Sequence, residues 1–194
     1  MRRCGDCQLC CKLLPISARD TSGTVRAMVS AGWAKPNEFA DAIPEFDKPA
    51  NTRCKHQRHG KGCGIYASRP LSCRLWSCRW LSETDTADQH RPDHSHVVID
   101  AVPDAVVLQD KLTGERREIE VIQIWVDPAY ADAHQDPALR AYVVRQAERG
   151  ALALIRNGSF DAFLLVPPAS ASDGVWHEVR GVMNMREDRW SGVP

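Results

Sequence analysis

Residues 4–11 read CGDCQLCC, so four of the chain's eight cysteines fall in one loop and two of them are adjacent. The rest are Cys54, Cys63, Cys73 and Cys78, which makes the full pattern C-x2-C-x2-C-C-x42-C-x8-C-x9-C-x4-C. Thiolates are soft ligands that suit zinc and iron–sulfur clusters. One buried cysteine can be no more than a small apolar core residue. Eight of them confined to positions 4–78 are not explained that way. Cys4, Cys7, Cys10, Cys11, Cys54, Cys63, Cys73 and Cys78 are all candidate metal ligands.

The spacing bears on which metal. Cys4-x2-Cys7-x2-Cys10 has the spacing with which bacterial ferredoxins wrap a cubane, taking a fourth cysteine from elsewhere. Structural zinc sites more often use two separate C-x2-C knuckles, and here there is one overfull run. The spacing leans toward an iron–sulfur cluster, with zinc as the alternative. Side chains of successive residues tend to point apart, so Cys10 and Cys11 need not serve one centre. One can ligate while the other joins a second site or stays a free thiol. On a third reading the vicinal pair is a redox switch or soft-metal trap, which requires exposure and a low thiolate pKa. The C-x3-C-x2-C run of radical S-adenosylmethionine clusters is absent, as are a nucleophile elbow, a P-loop, a Gly-rich dinucleotide loop and HExxH. No catalytic residue is assigned.

Other residues are weighed against plainer roles. His56 and His59 lie between two candidate ligands, and imidazole suits zinc and iron. A hydrogen-bonding or exposed loop histidine is the simpler reading. HRPDHSH (90–96) offers three histidines and Asp93, but reads first as a polar loop before a strand. Between Lys48 and Ser82 there are eight basic residues and no acid, whereas residues 83–136 hold thirteen acids against four bases. The two stretches can be complementary faces or solvated surface. The cations can also offset a negatively charged thiolate centre, or form an anion or nucleic-acid patch with Tyr66, Trp76 and Trp80 as stacking surfaces.

These residues must be positioned by elements the sequence outlines. A short helix is expected within 19–33, with Thr21 or Ser22 as cap and Gly32 as stop. Residues 46–54 and 58–64 read as loops or turns. SRPLSCRLWSCRWLSE (68–83) reads as one helix, with Leu71, Leu75 and Cys78 on one stripe and Cys73, Trp76 and Trp80 on another. Strands are expected at 96–102, 105–110, 117–126 and 160–166, and one more at 176–185. A long helix is expected from the Asp136 cap and Pro137 to Asn157-Gly158.

At 194 residues with zero net charge, the chain suits one domain or one domain with a small metal-stapled lobe. Zero net charge makes no general case for nucleic acid. No apolar run follows MRRCGDC and none is long enough to span a bilayer. A cytoplasmic protein is expected, where thiols stay reduced and dense cysteines point to metal or redox chemistry.

The pairing of CxxCxxCC at 4–11 with C-x8-C-G-I-Y-x3-R-P-x2-C-R at 54–74 resembles the YkgJ-like cysteine-cluster family. The matching residues are Cys4, Cys7, Cys10, Cys11, Lys48-Pro49, Cys54, His56, Cys63, Ile65-Tyr66, Arg69-Pro70, Cys73-Arg74, Cys78 and Trp80, over about the first 80 residues. The resemblance implies chelation of zinc or iron. Some lysine methylases that carry this cysteine pattern are linked to a 4Fe-4S cluster, which supports iron, although no S-adenosylmethionine-binding motif is present here.

The expectation is an α+β protein. An eight-cysteine module, residues 1–82, is stapled by metal and packs on a small antiparallel sheet with one long helix, residues 83–194, as one compact unit. The cofactor is an iron–sulfur cluster or zinc. The partner is a redox protein or another protein, with no membrane.

Overall fold

The computed structural model describes residues 2–102, 104–109, 112–157, 161–180 and the backbone of 184–185. Pro103, Asp110, Lys111, Gly158, Phe160 and residues 181–183, which figured in the expected turns and strands, lie outside the described residues. The class is α+β.

The second half is built around β5 (Arg116–Val126), whose eleven residues alternate between two faces. β3 (Val97–Ile99) and β4 (Asp104–Gln109) pair antiparallel with its two ends, and β6 (Leu152–Arg156) runs parallel on its other side. β7 (Ala162–Val166) and β8 (His177–Val179) extend that side, and β9 (Asn184–Met185) closes the opposite edge against β4. The sheet is therefore seven-stranded and mixed, larger than the small antiparallel one expected. WHEVRGVMNM does not form one strand. Its two ends pair at opposite edges of the sheet.

Helix α6 (Pro137–Ala147) opens as the sequence implies, with the Asp136 carboxylate accepting from Ala138 N and Leu139 N at 2.9 and 3.1 Å. It is not the long helix expected. It stops at Ala147, Gly150 takes φ +92°, and Leu152–Arg156 becomes β6. A parallel strand buried on both faces is a continuous apolar run, which periodicity cannot tell from buried helix.

One face of the sheet, with Ile122, Ile124, Val126, Ile155 and Phe163, packs under Leu139, Tyr142 and Val143 of α6. The other face meets the cysteine-rich residues. Val98 and Trp125 form a cluster with Cys7, Leu9 and Leu13 of α1 (Leu9–Leu13) and its approach. Lys12 adds a partly buried clamp, its Nζ lying 2.6 and 2.7 Å from the Asp127 carboxylate.

The cysteine-rich residues form short elements. α2 (Ser22–Ser30) ends before Gly32 at φ +74°, as expected. β1 (Gln57–Arg58) and β2 (Gly62–Cys63) make a tight hairpin. The single helix expected over 68–83 is broken into α3 (Leu71–Leu75) and α4 (Arg79–Ser82). Between them Cys78 is extended and bridges Asp100 beside β3, while Trp76 Nε1 donates to Asp100 Oδ1 at 2.8 Å. A continuous helix would forfeit both contacts, and the two expected stripes do not form.

Candidate metal centre

The loop 4–10 is a tight coil that turns its thiols to one side. Cys7 N donates to Cys4 O at 2.9 Å, and Gly5 takes φ +54°, which a glycine tolerates. α1 then carries Cys10 and Cys11. Cys78 arrives between α3 and α4, fixed by its bridge to Asp100. Cys4, Cys7, Cys10 and Cys78 line one cavity with Trp80, Leu81 and Pro92. It is small and partly open to solvent. Pro92 comes from α5 (Pro92–Ser95).

The loop is held from two sides. Arg91 bridges Asp6 at 2.8 Å and Asp93 at 2.6 Å. Gln8 Nε2 donates to Arg58 O and, at 3.0 Å, to Gly62 O of the β1–β2 hairpin. A Cβ at Gly62 would lie 2.7 Å from Gly5 O, so a larger residue there would push the hairpin off the loop. Trp80 is fixed by Nε1 donating to Gln89 O at 3.1 Å, with the Arg2 guanidinium 5.0 Å over its ring.

A second cysteine-bearing stretch also runs along α1. Cys54 N donates to Cys11 O at 3.2 Å and Asn51 N to Leu13 O at 3.1 Å, laying residues 51–54 along the helix. The Lys48 ammonium, on a side chain only 5% exposed, donates to Lys12 O, Pro49 O and Thr52 O at 3.3, 3.1 and 2.9 Å. The thiols whose charge it feels are Cys54, Cys11, Cys10 and Cys73. Burial pulls this ammonium below the ordinary lysine range, and those thiols act against the shift.

Of the adjacent pair, Cys10 lines the cavity, while the Cys11 carbonyl accepts from Cys54 N. In the thiol state the pair still interacts. Cys10 S–H donates to the Cys11 sulfur, which raises Cys10 well above the usual thiol range and lowers Cys11 to about 7. Burial raises Cys4, Cys7 and Cys78, and pushes Cys73 up to about 11. All eight cysteines are free of disulfides. Among the described residues, no three His, Cys, Asp or Glu side chains are drawn tightly enough together to hold one ion. Cys4, Cys7, Cys10 and Cys78 form a thiol neighbourhood around one cavity. The donors suit the group expected, since they are thiols backed by backbone N–H groups and cations.

Cys63 sits half-buried on β2, and none of the described contacts joins it to either set. His59 is exposed. His56 is not: its Nε2 is buried without a hydrogen-bond partner, and its ring meets Phe46 edge-on at 5.4 Å. HRPDHSH gathers no site, because Asp93 is taken by Arg91 and His96 stacks on Tyr130 at 3.4 Å. Of the basic stretch, Arg53, Lys55, Arg58 and Lys61 stand exposed on and beside the hairpin. Asp85 and Asp88 of the acidic stretch pair mainly with Arg145 and Arg149 of the α6 end, so the two stretches are not simply each other's partners. Sequence reasoning missed Gln8, Arg91 and Asp100. Only Asp100 carried a signal, as a charge inside the β-branched run HVVIDAV.

A cysteine-rich, metal-chelating module is therefore the class that these loops define. Residues 3–94 match the model of the CxxCxxCC family, described as a "putative zinc- or iron-chelating domain". No curated protein and no solved structure matches the chain. No helix among the described residues is long and apolar enough to cross a membrane.

Proposed function

We propose that Cys4, Cys7, Cys10 and Cys78 hold a 4Fe-4S cluster, and that the protein is an iron–sulfur protein with a redox role. One observation carries the reading: the three thiols of C-x2-C-x2-C and one remote thiol line a single cavity. That is the ligand economy of ferredoxins, three cysteines from a loop and one from elsewhere. When bound, such a cluster supplies one-electron transfer. Four thiols give every iron a protein ligand, which favours electron transfer over binding of a substrate at an open iron.

The chain's own residues then have defined tasks. Trp80, Leu81 and Pro92 limit water at the sulfurs. Arg91 holds the 4–8 loop through Asp6, and it brings positive charge near thiolates. Exposed Arg53, Lys55, Arg58 and Lys61 stand beside the loop, where an acidic redox partner in a reducing compartment such as the cytoplasm would meet them.

The test is purification without oxygen and without added metal. Iron with matching acid-labile sulfide and a broad band near roughly 400 nm, where such clusters absorb, is the expected result. It should be lost in Cys78→Ser. A colourless protein holding only zinc under these conditions sinks the reading.

A further inference from the structure

The cavity has two kinds of wall. Four thiols make one, and Trp80, Leu81 and Pro92, all from residues 79–92, make the other. The cover over a metal centre sets how readily water and reagents reach it. What holds residues 79–92 in place therefore bears on the centre as directly as its ligands do.

Most ties on this stretch lead to the sheet and α6. Arg79 Nε donates to Asp100 O at 3.1 Å, Gln146 Nε2 to Asp85 Oδ2 at 2.9 Å, and Gln89 Nε2 to Ala138 O at 2.8 Å. Two ties lead instead to the thiol loop. One is the bridge from Arg91 to Asp6. The other comes from Arg2, two residues before Cys4. Its Nη1 donates to Trp80 O at 2.5 Å and to Thr86 Oγ1 at 2.9 Å, and its Nη2 donates to Thr86 O at 2.8 Å. The same guanidinium stands 5.0 Å over the Trp80 ring, within cation–π range.

Thr86 is 0% exposed, and its Oγ1 lies 3.2 Å from Arg79 O and 3.1 Å from Glu83 O. Arg2 thus grips the centre of the turn that follows α4. Among the described ion pairs none takes Arg2. Its donors and its flat face are directed at this wall and not at an acid. A planar fork that holds two carbonyls, a hydroxyl and a ring together is a geometry that lysine does not copy.

We propose that Arg2 is a positioning residue of the metal centre: it clamps the Trp80 wall to the Cys4 end of the thiol loop and so limits how fast reagents in solution reach the four thiols. The inference deepens the reading of those thiols as one centre. The clamp itself consists of protein groups alone, so it does not depend on which metal binds.

The test uses the full chain as purified without oxygen, and reads two rates. The first is loss of the bound metal to a chelator. The second is alkylation of each cysteine by iodoacetamide, followed by peptide mass. Arg2→Ala should speed metal loss, and labelling of Cys4 and Cys78, by about 10-fold, the low end of what losing a partner behind the ligands costs. Cys63, which does not line the cavity, serves as the control and should label as in wild type. Arg2→Lys should stay close to Arg2→Ala. Thr86→Val removes only the hydroxyl and should give a smaller rise in the same direction. Combined with Arg2→Ala it should add nothing, because both act through one contact. Wild-type rates in Arg2→Ala overturn the clamp, as does an equal rise at Cys63, which would mean general loosening. Wild-type rates in Arg2→Lys would show that charge and not the fork matters, and additive effects of Arg2→Ala and Thr86→Val would separate the two residues; either result overturns the proposal. Failure of the cluster reading shows separately, as wild-type protein without iron. The clamp is then read from zinc loss, or from Cys4 and Cys78 labelling alone.

Discussion

The two regions of this chain bury very different amounts of apolar surface. The sheet and α6 share a cluster of thirteen buried residues. The cysteine-rich region joins a cluster of five, and two of those, Val98 and Trp125, belong to the sheet. Its helices span four to nine residues, well below the length at which a helix holds in water. The sheet region is stabilised by what it excludes from water. The cysteine-rich region depends on side-chain latches, on docking to one sheet face, and on metal bonds where they form.

The sharpest way to break that comparison is to remove metal. A chelator, with reductant present, should strip amide protection from residues 4–11 and 51–64 while β5, β6 and β7 keep theirs, as read by hydrogen exchange. Equal loss in both regions would mean that they unfold as one unit and that the contrast is false. Next in size, Phe163→Ala should destabilise the sheet region by about 3–5 kcal/mol, measured by denaturant unfolding, with metal content of the folded fraction unchanged. A fall in metal content would tie the two regions more closely than their cores suggest.

Asp127→Asn probes the seam. It removes the anion facing Lys12 Nζ but keeps a side-chain oxygen for the cap on Ala129 N. The expected cost is about 1–3 kcal/mol, with earlier loss of protection in α1 than in α6. An unchanged melting temperature would make the clamp energetically idle.

The smallest effect is on pH. In metal-free protein, Cys11 has a lowered pKa of about 7, so the unfolded chain binds the extra proton between pH 7 and the ordinary thiol value of 9. Its contribution to stability is present above 9 and is lost as pH falls through 7. Cys73, raised by burial to about 11, works the other way: its contribution is complete below 9 and is lost as pH rises toward 11. Metal-free stability should therefore pass through a shallow maximum near pH 9. Metal binding should instead tighten as pH rises, because buried thiols must lose protons to ligate. A flat profile in both experiments would mean that the thiols are as accessible as those of the unfolded chain.

Much of the chemistry was legible in the sequence. Eight cysteines in that order announce a chelating module, because no core needs them. The β-branched runs gave β3, β4 and β5 nearly in place, and Asp136-Pro137 marked the start of α6. The errors share a cause. The apolar run at 152–156 is pulled into a parallel strand beside β5, and the helix expected over 68–83 is broken because Cys78 pairs with Asp100. In both cases a contact distant in sequence overrides a local period.

By itself, then, the sequence determined the thiol inventory, the ferredoxin-like spacing and the α+β class. These depend on side-chain chemistry and local periodicity, which reside in neighbouring residues. Only the tertiary structure brought the remote Cys78 to Cys4, Cys7 and Cys10 around one cavity. That meeting depends on the docking of Cys7, Leu9 and Leu13 on Val98 and Trp125, some ninety and more residues along the chain.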